Sequence, residues 1–137
     1  MNDEKKKKVY LLFIFVFAAI IIVSVVIIFH ALKPKVDYEA MVTEMCEYVY
    51  KYDNVTDIKA VSERQYKITV KGDPWYNASE RDKMVFCKDI NTALTGISWK
   101  YKAIKDIERV SVYYYDEDGI NVAEPGNSTS FESVILH

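Results

Sequence analysis

The residues of this 137-residue chain that could do chemistry are few and poorly spaced for it. Only two histidines occur, His30 and His137, and there is no Cys-x-x-Cys or His-x-x-x-His spacing, so the ligand pattern of a zinc site is missing. Asp116-x-Asp118-Gly119 has the opening of a calcium loop, but no third ligand stands at the next alternate position and no Glu closes it. A turn is the expected role. No serine or cysteine has a histidine base within its own segment. Asp73, Asp116, Glu117 and Asp118 could supply an acid pair, yet they fall in turn-forming stretches where solvated carboxylates are ordinary. Four glycines, none in a phosphate-loop pattern, argue against nucleotide binding. The sequence therefore predicts no enzyme, no metal and no cofactor.

What remains is surface chemistry. Val110, Val112 and Tyr114 alternate with Ser111, Tyr113 and Tyr115, and Tyr66, Ile68 and Val70 alternate with Lys67, Thr69 and Lys71. Successive side chains of a strand point to opposite faces. If the first member of each set faces the core, Lys67, Lys71, Tyr113 and Tyr115 share the outer face of one sheet. Tyrosines and lysines in that arrangement are expected to make a plain solvated face of β-formers, with a binding surface for a protein partner or glycan as the alternative. Trp75 and Tyr76, by contrast, are expected to plug the core.

Two further features stay open in the sequence. Cys46 and Cys87 could form a disulfide closing a loop of about 42 residues, or stand as two buried thiols. Asn54-Val55-Thr56, Asn77-Ala78-Ser79 and Asn127-Ser128-Thr129 match the glycosylation sequon, but all three sit at element ends, where the same residues cap turns and helices.

The stretch that must position all of this is Val9 to Phe29, which carries no charge, Gly or Pro and is interrupted only by Tyr10 and Ser24. As a helix it spans about 31 Å, the thickness of a bilayer's hydrocarbon core. A transmembrane helix is expected over 9–32, followed by a short stalk at 33–36 that Pro34 separates from the helix. Lys5, Lys6, Lys7 and Lys8 precede it, whereas only Lys33 and Lys35 follow closely, which predicts a cytoplasmic tail at 1–8 and a C-terminal domain outside the cell membrane. The apolar run is longer than that of a cleaved signal peptide, and no small-x-small pair follows it, so an uncleaved anchor is the reading.

About 105 residues follow the anchor, enough for one small domain. Removing the four tail lysines, Asp3 and Glu4 from the totals of 18 Lys plus Arg and 20 Asp plus Glu leaves a net charge near −4. That balance excludes nucleic acid as the main partner. Asp37 starts an amphipathic helix running to about Tyr52, with Tyr38, Met41, Val42, Met45, Val49 and Tyr52 on one face. A strand with Thr56, Ile58 and Ala60 on one face turns at Ser62-Glu63-Arg64 into the Tyr66–Val70 strand, which Gly72-Asp73-Pro74 breaks. Asn77 or Ser79 caps a second helix whose stripe is Phe86, Cys87, Ile90, Ala93, Leu94 and Ile97, with Gly96 as its end signal. The Val110–Tyr115 strand turns at Asp116-Glu117-Asp118-Gly119 into a partner strand with Ile120 and Val122. The expected domain is thus α+β over 37–126, helix-strand-strand-helix-strand-strand, about four strands, with a loose tail at 127–137. Element order alone is similar to that of the small ring-building domains of bacterial secretion and sporulation assemblies, a resemblance that implies self-assembly. The function expected is a single-pass, membrane-anchored interaction or assembly module, partnered by another protein or by its own copies. An accessory subunit held through its transmembrane helix is the alternative, and a carboxylate enzyme of the cell envelope the weaker one.

Overall fold

The computed structural model describes residues 2–32 and 35–137, in two compact units, Met1–Lys35 and Val36–His137. The first unit is one helix, α1 (Asp3–Leu32). Its segment Asp3–Phe29 is long and apolar enough to cross a membrane, and none of it is buried against protein. Phe13, Phe15 and Phe29 are each about 70% exposed. The serine hydroxyl inside the run is satisfied within the helix, Ser24 Oγ donating to the Ile20 carbonyl at 2.8 Å. The expectation that Pro34 ends the helix lies outside the described residues.

The second unit is α+β. Its elements are α2 (Tyr38–Val49), β1 (Val55–Ser62), β2 (Gln65–Val70), α3 (Gly72–Asn77), α4 (Glu80–Lys100), β3 (Ser111–Tyr115), β4 (Asn121–Pro125) and β5 (Ser133–Ile135). The five strands form one sheet in the order β1-β2-β3-β4-β5, antiparallel except for the parallel β2–β3 pair. A parallel pair needs a crossover, and α3 with α4 supplies it.

Both long helices form where the sequence places caps. The Asp37 carboxylate accepts the Ala40 amide at 3.1 Å, and the Ser79 hydroxyl accepts the Asp82 amide at 3.1 Å. Their apolar stripes, Met41, Met45 and Val49 on α2 and Cys87, Ile90 and Leu94 on α4, join Tyr66, Ile68, Val70, Val112 and Tyr114 of the sheet in one core. Alternation on β2 and β3 therefore turns out as expected, inward members buried and outward ones half-buried.

Four expectations change. A bulge after Val55 shifts the parity of β1, so of Thr56, Ile58 and Ala60, expected on one face, only Ile58 packs on the core, behind buried Val55, while Thr56 and Ala60 are exposed. Gly72-Asp73-Pro74 does not simply break the chain but opens α3, with Pro74 in the first turn, where its missing N–H costs nothing. Gly96 lies on the exposed side of α4, which continues to Lys100 and stops before Lys102 at φ 57°. The segment 127–137 is not a loose tail: Ser133–Ile135 pairs with β4 as the fifth strand, one more than expected.

Asn91 holds that last strand. It is buried on α4 and its amide donates to the Phe131 carbonyl at 2.7 Å and the Ser133 hydroxyl at 2.8 Å, while its Oδ1 accepts the Tyr114 hydroxyl at 2.7 Å. Tyr114→Phe strips that donor from a buried acceptor and is expected to destabilise the domain by about 1–3 kcal/mol. Urea unfolding of the detergent-solubilised chain checks this, with a lower midpoint and an unchanged slope.

Candidate functional site

The parallel register of β2 and β3 sets Lys67 beside Tyr113 and Thr69 beside Tyr115. Both helices cover the opposite face, so these side chains stand on the uncovered side of the sheet. Lys67 reaches diagonally, its Nζ 4.5 Å from the centroid of the Tyr115 ring. An exposed cation–π contact of this kind contributes about 0.5–1 kcal/mol and mainly fixes where the ammonium sits. β1 extends the surface with Asp57 opposite Thr69 and Lys59 opposite Lys67, themselves a loose ion pair at 3.9 Å. The result is a flat surface of phenol hydroxyls, ring faces and lysines. It can stack, donate and accept, but it brings together no nucleophile and base.

Lys71 departs from the set. It follows the last residue of β2, its amide donating to the Asn54 carbonyl at 2.8 Å, and its side chain borders a hollow of about 490 Å³ with Asp73, Tyr76 and Asp116. Three of the four residues expected to form the surface therefore lie together, and the fourth is at the sheet's end.

The acids around that hollow are organised as turn chemistry. Asp116 Oδ2 accepts the Tyr76 hydroxyl at 2.7 Å, and Oδ1 accepts the amides of Asp118 at 3.0 Å and Ile120 at 2.9 Å. Gly119, at φ 85°, completes the reversal in a backbone region that an L side chain rarely adopts. The Tyr76 hydrogen bond, followed by that from Ile120, holds the Asp116 carboxyl below the usual carboxylate range. A carboxylate so fully engaged is a poor general base. No three His, Cys, Asp or Glu residues converge as metal ligands among the described residues. Trp75 and Tyr76 part company: Trp75 is buried, donating from its indole to the His137 carbonyl at 2.8 Å, whereas Tyr76 is exposed and tethers the turn.

The two cysteines are free thiols in this structure, Cys46 half-buried on α2 and Cys87 buried on α4. Burial pushes the Cys87 thiol up to about 12, against hydrogen bonds from Ser133 and Tyr114 that pull it back. Burial and the nearby Asp57 charge raise Cys46 as well. Two of the sequons act locally: Ser79 is the cap of α4, and Asn127 Oδ1 accepts the Thr129 amide at 3.2 Å.

A second cleft, also of about 490 Å³, opens at the other end of the sheet, between the start of β3 and the loop 126–132. There the Arg109 guanidinium lies 3.9 Å from the centroid of Phe131, whose ring meets Trp99 edge-on at 6.3 Å. Trp99 in turn donates to the Glu108 carbonyl at 2.8 Å. Gly126 is required at the rim, because a Cβ there would come within 2.7 Å of the Glu132 carbonyl oxygen. No periodicity marks Arg109 or Phe131. The only sequence signal is an arginine beside a glutamate at a strand entrance.

Tyr76→Phe is expected to raise the Asp116 pKa towards the ordinary carboxylate value. A group held low in the folded state stabilises the fold fully above its unfolded pKa and loses that contribution as pH falls through the lowered value. The variant should therefore match the native chain less well at neutral pH than below about pH 3. Carboxyl NMR titration and acid unfolding check both. For the thiols, iodoacetamide at pH 8 should modify Cys87 only after denaturant is added, as mass spectrometry would read.

No protein family, curated protein or solved structure matches the chain.

Proposed function

We propose that this chain is a single-pass membrane protein, with Lys5 to Lys8 in the cytoplasm and the Val36–His137 unit outside, and that this unit is a protein-interaction or assembly module. The observation that carries the reading is α1, whose apolar side chains point outward on all sides with no protein packed on them. In water that surface is untenable, and in lipid every backbone group of the helix is already paired. The lysine asymmetry across it gives the direction.

The uncovered face of the sheet supports the module half of the reading. Lys67, Tyr113 and Tyr115 form a rigid, half-buried surface on β-strands, with a cation held against a ring. Tyrosine presents a large contact area at low entropic cost, which suits recognition of another protein or a second copy. The rival reading as an accessory subunit leans on the transmembrane helix for partner binding. Ser24, the one small polar residue inside the apolar run, donates its hydroxyl to Ile20 of its own helix and is withdrawn from that role. Of the acids an envelope enzyme could use, Asp116 has its oxygens engaged by Tyr76, Asp118 and Ile120.

Protease added to intact cells is expected to remove a tag fused after His137, and to leave it intact in cells where Lys5 to Lys8 are replaced by asparagine. Survival of the tag on the native chain would sink the orientation. For the module, chemical crosslinking in isolated membranes should lose its adducts when Lys67→Thr, Tyr113→Thr and Tyr115→Thr are combined, replacements that keep strand propensity. It should keep them when Val9–Phe29 becomes polyleucine. The reverse pattern would favour the accessory reading.

A further inference from the structure

The Arg109 cleft carries an inference independent of the membrane reading and of the outer sheet face. Arg109 is held from both sides. On one, the Glu108 carbonyl accepts the Trp99 indole at 2.8 Å; on the other, the Val110 amide meets the Thr95 hydroxyl at 3.4 Å and the Ser111 amide donates to the Arg64 carbonyl at 2.7 Å. The backbone is therefore fixed, and the guanidinium lies over Phe131. Its Nη1 is buried and has no hydrogen-bond partner among the described residues. Buried polar groups are almost always paired, so this shielded nitrogen shows that the fold supplies Arg109 no internal acceptor, and an acceptor for the guanidinium has to come from the cleft that Arg109 lines.

The charges around the cleft say which acceptor. Four charged residues line it, Arg64, Glu108, Arg109 and Glu132. Arg64 is paired with Glu108, and Lys88 approaches Glu132 at 3.9 Å from outside the lining. Arg109 alone lacks a counter-charge. One uncompensated cation suits one negative charge, and the carboxylates of Glu108 and Glu132 would repel a second. A guanidinium pairs with a planar carboxylate through two parallel hydrogen bonds. The rest of the wall is partly apolar, from Phe131, Val110 and Val112. A volume of about 490 Å³ falls in the range of small-ligand sites.

We propose that the cleft between β3 and the loop 126–132 binds a monoanionic carboxylate carried beside an apolar group, with Arg109 as its anchor, as presented by a peptide C-terminus or a small aromatic acid. Trp99 stands one ring away from the site and reports on it.

The test uses the full chain in detergent micelles, read by tryptophan fluorescence and by calorimetry. The probes are N-acetyl-Ala-Phe with a free carboxylate, the same dipeptide as its C-terminal amide, 3-phenylpropionate, and phenyl phosphate. The free acid should bind saturably and at least about tenfold tighter than the amide, and Arg109→Gln should abolish that difference. A peptide source is indicated if the dipeptide acid outbinds 3-phenylpropionate, and a free-acid source if the order is reversed; both outcomes support the carboxylate. Equal binding of acid and amide to the native chain, no saturable binding of either acid up to about 10 mM, or tighter binding of phenyl phosphate overturns it. The acid–amide comparison needs no variant, so a failure of Arg109→Gln to fold leaves the proposal decidable.

Discussion

One buried amide fixes how the second unit closes. Burial of apolar surface drives α4 onto the sheet, but that force has no direction and would accept several registers. Asn91 accepts only one. Its carbonyl must meet the Tyr114 hydroxyl on β3, and its NH₂ must meet Phe131 and Ser133 at the start of β5. Any sliding of the helix would leave polar groups in an apolar interior without partners. A three-residue strand such as β5 could not hold its place through ladder bonds alone. The amide that orients the helix is thus the same one that recruits the last strand, and through Phe131 it sets the wall of the Arg109 cleft.

The elements legible in the sequence are those whose signal is local. The stripes of α2 and α4 recur at helical spacing, and Tyr66, Ile68 and Val70 alternate cleanly with Lys67 and Thr69. The surface made by Lys67, Tyr113 and Tyr115 follows from that alternation once the helices are assigned to the other face. What escaped the sequence depends on distant residues. Ser133–Ile135 is a strand only because Asn91 and β4 receive it. Gly96 is tolerated within α4 because it is exposed with nothing within 4 Å, and its helix cost of about 1 kcal/mol is offset by the packing of Leu94, Thr95 and Ser98. Lys71 shares the parity of Lys67 yet leaves the surface, since β2 ends at Val70. Arg109 and Phe131 meet across 22 residues of sequence with no pattern to announce it.

The two sheet ends differ in how they treat charge. At the turn after β3, Asp116 gathers a phenol and two amides and spends its acceptor capacity on local order. At the entrance to β3, Arg109 is oriented by its neighbours but finds no carboxylate. The same strand is therefore entered past a cation with no partner in the fold and left through an anion whose oxygens are engaged.

The state of the thiols has a consequence for where the second unit can exist. Its core closes through Asn91, Tyr114 and the indole of Trp75, with Cys46 and Cys87 unbonded and Cys87 shielded. No covalent crosslink has to form for the sheet to assemble, so folding makes no demand on oxidants and gives glutathione nothing to attack. A unit built this way matures equally well in an oxidising or a reducing compartment, so its thiols place no constraint on which of the two it occupies.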